Sequence, residues 1–253
     1  MVQTRAIPCL LLKGQGFVKT VQFKNPKYVG DPINIVRLFN DKEADELIVL
    51  DIAATIERRP PQFEYLANLA GECFMPLCYG GGIRNVEDVK KLLSIGIEKV
   101  AINSAAVDDP TLIARAADSF GSQAIVASID VKRDWLGKSR AYTRSAQKKT
   151  KWSPEALAVE LEKQGAGEIL LMSVERDGTM NGYDLELIRT ISSAVGVPVV
   201  ASGGAGSPSH LAEAVNAGAS AAAAGSMFIY VGPHRAVLIN YPTTAELKAI
   251  FRG

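Results

Sequence analysis

Residues 75–106 lie over residues 197–228 at an offset of 122. Both stretches run through an apolar strand-like segment, a glycine-rich turn, an amphipathic segment and a second short apolar run, with Gly96 over Gly218. At the same offset Glu46 falls on Glu168, and at an offset of 119 Leu11 falls on Asp130 and Lys13 on Lys132. Any two strand–helix units share a periodicity. Matched glycines and acids go further and point to a duplicated half, and a repeat of this kind limits the topology before any single residue does.

Eight short β-rich runs (5–11, 46–51, 75–79, 98–103, 123–130, 168–173, 197–202 and 220–224) alternate with eight amphipathic stretches (32–44, 61–73, 85–95, 109–119, 154–165, 184–195, 208–217 and 243–251). Consecutive parallel strands need a crossover helix. Eight such units in 253 residues predict an α/β fold, a single (β/α)8 barrel of the TIM type. Its half-barrel repeats would span roughly 1–120 and 121–253. A chain that is 47% hydrophobic and 22% charged, with three cysteines, is not disordered, collagenous or a disulfide scaffold. A formal net charge of +1 with interspersed signs gives no footprint for nucleic acid or an anionic membrane. No run approaches the roughly 18 apolar residues of a membrane span, and the chain reads as soluble and cytoplasmic. Cys9, Cys73 and Cys78 sit in apolar surroundings and read as buried, reduced thiols. With only His210 and His234 beside them, no metal site and no cofactor are expected.

Two glycine turns, Gly80-Gly81-Gly82 and Gly203-Gly204-Ala205-Gly206, follow the third and seventh strands and precede helices. Backbone N–H groups in such turns can converge on an anion at a helix N-terminus. Asn103-Ser104 and Gly225-Ser226 occupy matching places one unit later. One motif alone could be a tight turn that needs glycine sterically. Two related by the repeat point to a bis-phosphate ligand, or its relic, across the mouth. Asp51, Asp130 and Asp177 close the second, fifth and sixth strands or follow them, where barrel active sites form. A tuned carboxylate there can move protons. Capping a turn is the alternative role, strongest for Asp177. The repeat predicts an acid opposite Asp130, and Leu11 stands there.

At the other pole Arg5, Glu46, Lys99 and Glu168 open the first, second, fourth and sixth strands. Strand parity aims all four inward. Such a ring could be a structural plug or a polar gate for a small neutral molecule.

The motifs DELIVLDI, GGGI, INSAAV, FGSQAIVASID, QGAGEILL, ERDGTMNGYD and VVASGGAG resemble the cyclase subunit of imidazole glycerol phosphate synthase, HisF, over nearly the whole chain. The resemblance implies a HisH-type glutaminase docked on the lower pole and ammonia passing a gate of Arg5, Glu46, Lys99 and Glu168. It implies a bis-phosphorylated aminoimidazole nucleotide at the mouth. Its phosphates would be held by Gly82, Asn103 and Ser104 on one side, and by Gly178, Gly204, Gly225 and Ser226 on the other. Lys19 and Asp130 match catalytic-site positions. The departures fall on the chemistry: Leu11 replaces the family's acid, and Met172 its threonine. The tail VGPHRAVLINYP looks more like the paralogue that works beside a glutaminase and an ATP-dependent N-acetyl-sugar amidotransferase in surface-polysaccharide synthesis. Three readings follow: an ammonia-conducting subunit for sugar amidation, an authentic cyclase of histidine biosynthesis, or a non-catalytic scaffold for a glutaminase.

Overall fold

The computed structural model describes residues 4–252. Eight parallel strands form the barrel: β1 (Arg5–Lys13), β2 (Leu47–Asp51), β3 (Leu77–Gly80), β4 (Lys99–Ile102), β5 (Ile125–Arg133), β6 (Glu168–Ser173), β7 (Val199–Ser202) and β8 (Ala221–Ala224). Each pairs with the next, and β1 pairs with β8, so these eight strands close on themselves. Eight helices cover its outside: α1 (Pro32–Asp41), α2 (Phe63–Gly71), α3 (Val86–Ser94), α4 (Thr111–Phe120), α5 (Pro154–Lys163), α6 (Leu185–Ala194), α7 (Pro208–Asn216) and α8 (Thr244–Arg252). The expected barrel is the observed one.

Local chemistry sets the helix starts. Asp31 accepts from the Asn34 amide and Ser153 from the Ala156 amide, each followed by a proline at the first helical position. Such caps satisfy amides that would otherwise have no partner, and proline loses no bond there. The strands are buried on both faces, so their side chains divide by parity. Outward-facing Leu10, Leu12, Val49, Tyr79, Ile129 and Leu171 join the helices in one large core. Ile7, Cys9, Ile48, Cys78, Ala101, Val126, Leu170, Met172, Val200, Ala221 and Ala223 fill the bore. Each large side chain taken fully out of water contributes about 1.5–3 kcal/mol.

The eight-fold alternation did not predict two hairpins at the C-terminal face. Gly16–Val21 pairs antiparallel with β1 and with Lys24–Gly30. Ser139–Thr143 pairs with the extension of β5, and with Lys148–Lys149. Short helices Ser104–Asp108 and Ser226–Ile229 follow β4 and β8. At the opposite face Tyr241 of the tail donates to the Ala6 carbonyl at 2.7 Å and accepts from the Asp45 amide at 3.2 Å, tying the last connection to β1. Cys9 and Cys78 are buried as expected, whereas Cys73 is only half-buried. It lies in the turn after α2, its thiol donating to the Met75 carbonyl at 3.3 Å. No described helix is long and apolar enough to cross a membrane.

Candidate functional site

Parity brings the ends of the strands to the two poles. At the N-terminal pole Arg5 pairs with both Glu46 and Glu168. Lys99 Nζ reaches Glu46 Oε1 at 3.0 Å and Glu168 Oε2 at 2.9 Å. Charges alternate around a closed cycle of two cations and two anions. Burial opposes the charge on Arg5 and Lys99, but the facing glutamates overcome it and hold both above their ordinary range. Directly above lies the apolar bore. Cys78 is buried there, and its thiol is pushed well up by desolvation and by Glu46 and Glu168. Burial likewise pushes Cys9 up to about 11, so neither thiol is a nucleophile at neutral pH.

At the C-terminal pole the expected site residues divide between two recesses that meet at Leu11 and Met172. The larger cavity, ≈ 380 Å³, is lined by Gly82, Asn103, Ser104, Asp51 and Asp130, together with Arg59, Arg84 and Arg144. The smaller, ≈ 20 Å³, is lined by Lys19, Asp177, Gly178, Gly204, Gly225 and Ser226. The repeat is therefore preserved in position and broken in space. Lys19 reaches in from the first hairpin and is buried there, 4.0 Å from Asp177 Oδ1; a Cβ on Gly225 would collide with its ammonium.

The three aspartates have different surroundings. Asp51 Oδ1 accepts from the Ala53 and Ala54 amides and from Arg59 Nη2, each at 3.0 Å, and Oδ2 lies 2.8 Å from Arg59 Nη1. It closes the loop after β2. Asp177 accepts from Thr20 Oγ1 at 2.7 Å and from the Phe23 amide at 3.3 Å, locking the first hairpin over the mouth. The Asp130 carboxyl accepts no hydrogen bond from any described residue. Desolvation, with repulsion from Asp177, pushes its carboxyl up to about 7. A carboxyl near neutrality can give or take a proton at working pH. Met172 is beside it on the neighbouring strand, and Leu11, only 4% exposed, lines the same cavity from β1 across the mouth. Neither can carry a proton.

After both glycine turns, protein groups take up amides at the starts of the long helices. Asn85 accepts from the Asp88 amide at 2.8 Å and Asp88 from the Arg84 amide at 3.0 Å, so α3 is capped by its own residues. At the second turn the Gly206 amide donates to His210 Nδ1 at 3.1 Å. The glycines are needed for backbone shape. Gly204 has φ +115°, and any Cβ there would strike the Gly182 carbonyl. Gly82 has φ +73°, with the Arg59 carbonyl 2.8 Å from a Cβ position.

Sequence reasoning missed Arg59, Thr20, Phe23 and Arg144. Arg59 lies eight residues beyond Asp51, with no period to link them. Arg144, Ser145 and Ala146 all have left-handed φ, between 53° and 58°, a conformation that costs about 1 kcal/mol or more per residue without glycine. That turn places the Arg144 amide on Ser104 Oγ and Ser145 Oγ on the Ile52 carbonyl, both at 3.0 Å. Left-handed backbone in residues other than glycine leaves no mark in composition. No group of three or more metal-ligating side chains occurs among the described residues.

A family model described as histidine biosynthesis protein matches residues 5–233. A relative from Pseudomonas aeruginosa, provisionally named an imidazole glycerol phosphate synthase subunit, is 52% identical over 248 residues, covering 98% of this chain and 99% of its own. Another from Leptospira borgpetersenii, provisionally named an imidazole glycerol phosphate synthase subunit HisF, is 46% identical over 255 residues, covering 99% and 100%. The imidazole glycerol phosphate synthase subunit HisF of Geobacillus kaustophilus is 46% identical over 232 residues, covering 91% of this chain and 92% of its own. With a closed eightfold barrel, the repeated glycine turns and these matches along its length, the chain belongs to the HisF family of imidazole glycerol phosphate synthase subunits.

Proposed function

We propose that this chain receives ammonia from a HisH-type glutaminase at its lower pole and conducts it through the bore to the mouth. There a third protein, an ATP-dependent N-acetyl-sugar amidotransferase, takes it up to form an acetamidino sugar. The observation that carries this reading is the contrast between the poles. The lower ring keeps all four charged groups in register, while at the mouth Leu11 and Met172 share a cavity with Asp130, whose carboxyl is unpaired among the described residues. A buried ion pair often adds no stability over well-packed apolar residues, so a plug alone does not call for charge. A polar route does.

In this reading the glutamates of the ring desolvate ammonia in steps, and Arg5 or Lys99 moves aside to admit it. The bore above, with Ala101, Ala221, Ala223 and Cys9, carries a small neutral molecule and excludes ions. The phosphate sites are read as Gly82, Asn103 and Ser104 in the open recess, and as Gly178, Gly204, Gly225 and Ser226 in the narrow one. Asp130, Lys19 and Asp51 are the remaining catalytic candidates for cyclisation, with Asp177 after them. Losing one general acid or base costs about 10²–10⁴-fold in rate, so cyclisation by this chain is weak.

The test supplies the glutaminase, this chain and the amidotransferase with ATP and the acceptor sugar, and compares glutamine with ammonium salt. The reading expects glutamine-dependent amidation only when this chain is present. It also expects no appreciable cyclisation of the aminoimidazole nucleotide with ammonium. Turnover like that of an ordinary cyclase would favour histidine biosynthesis instead, for which the carboxyl of Asp130 near neutrality is the supporting observation.

A further inference from the structure

The near-neutral total charge hides a segregation. Residues 132–151 hold eight lysines and arginines against one aspartate, and residues 13–30 hold four lysines and no acid. These segments are the two hairpins of the C-terminal face, so the rest of the chain is net acidic while the mouth is basic. Signs that look interspersed along the whole chain are sorted by the fold.

The second hairpin is built to present this charge. Its one acid, Asp134, is turned inward. It accepts from the Leu136 and Lys138 amides at 3.0 Å, and Arg140 and Lys149 each approach it at 3.4 Å. Lys138 and Lys151 are exposed, and no described carboxylate lies within 4.0 Å of either. The tip carries Trp135 and Leu136, 87% and 58% exposed. By strand rise it stands about 15 Å beyond Asp130. Tyr28, 68% exposed, is on the other hairpin.

Steering a small phosphorylated ligand does not account for these features. Lys138, Lys148, Lys149 and Lys151 do not line the mouth cavity, which has its own Arg59, Arg84 and Arg144. An exposed tryptophan beside an exposed leucine adds nothing to anion capture. Aromatic anchors ringed by charge are the composition of a protein interface. We propose that this face docks a protein with an acidic rim and an apolar pocket for Trp135. Resting on the function proposed above, that partner is the amidotransferase that takes up the ammonia. Its seat over the hairpins would cover the exit of the bore, because Arg144, Ser145 and Gln147 run back from the same hairpin to line the cavity.

The test measures binding of the purified amidotransferase to the full chain by calorimetry, at low and high salt. The variants are Trp135→Ala and the triple Lys138→Glu/Lys148→Glu/Lys151→Glu. Binding should weaken with salt. It should fall about tenfold or more in the triple variant, as rim charges act on encounter, and about 30-fold for the lost anchor. Circular dichroism identifies a variant that fails to fold, in which case Leu136→Ser replaces Trp135→Ala. Equal affinity in wild type and folded variants overturns the proposal. So does binding of single-stranded RNA or phosphatidylserine vesicles through this hairpin with none of the amidotransferase. Glutamine-dependent amidation that runs equally in all variants sinks the docking surface and leaves the conduit standing. Docking without any glutamine-dependent amidation does the reverse.

Discussion

Replacing Asp130 with asparagine should stabilise the protein, and by an amount that depends on pH. The carboxyl is raised from its ordinary 3.8 to about 7 by desolvation and by Asp177. Between those two values the folded state holds the proton more tightly than the unfolded chain. Stability is therefore lost as pH rises through this window, and the loss is complete above about 7. At about 1.4 kcal/mol per pH unit the ceiling is about 4 kcal/mol. Because the group looks into an open cavity, water reduces this to about 1–3 kcal/mol. Asparagine has the same shape and no charge to desolvate. For a chain of this length each kcal/mol moves Tm by about 2–4 °C. Thermal unfolding followed by circular dichroism should show Asp130→Asn equal to wild type near pH 4 and about 3–10 °C more stable at pH 8. A gain that is the same at both pH values, or a loss at pH 8, would refute the reasoning.

Lys99→Met removes one cation from the lower ring and leaves two buried glutamates sharing Arg5. Since Lys99 keeps 21% of its side chain exposed, the cost should be about 2–4 kcal/mol, read in urea unfolding. Gly204→Ala should lose about 2–4 kcal/mol by the same measurement, from a left-handed φ and a collision with a backbone carbonyl. Thr20→Val leaves buried Asp177 without its hydroxyl donor at about 1–3 kcal/mol. Trypsin should then cut the first hairpin at Lys24 and Lys27 faster than in wild type.

The barrel was legible because its signals are periodic. Each strand is a short run buried on both faces and each helix an amphipathic stretch, so eight alternations and a repeat leave one closed solution. The ring of Arg5, Glu46, Lys99 and Glu168 followed from parity alone. The hairpins were not legible. Strand β5 runs on to Arg133, beyond the apolar run that marks it, because its extension is held by cross-strand pairing with Ser139–Thr143 and not by burial in the bore. Lys-rich stretches between Gly14 and Gly30 look like loop for the same reason. The inequality of the two mouth recesses was equally hidden. It depends on the long side chain of Lys19 crossing from a hairpin to β8, a contact that no local pattern encodes. The separate roles of Asp51 and Asp177 come from their partners Arg59 and Thr20, which are set by loop paths and not by spacing.

The claim that nitrogen travels inside the barrel can be tested by isotope. Glutamine labelled with ¹⁵N at its amide is given to the glutaminase, this chain and the amidotransferase in the presence of excess unlabelled ammonium, under conditions where glutamine is the faster donor. Mass spectrometry of the amidated sugar then reads the source. Conduction predicts that the product carries the ¹⁵N label almost undiluted, and that Arg5→Ala or Lys99→Ala lets unlabelled nitrogen in. A product whose label matches the mixed ammonia of the solution, in wild type and variants alike, would contradict it.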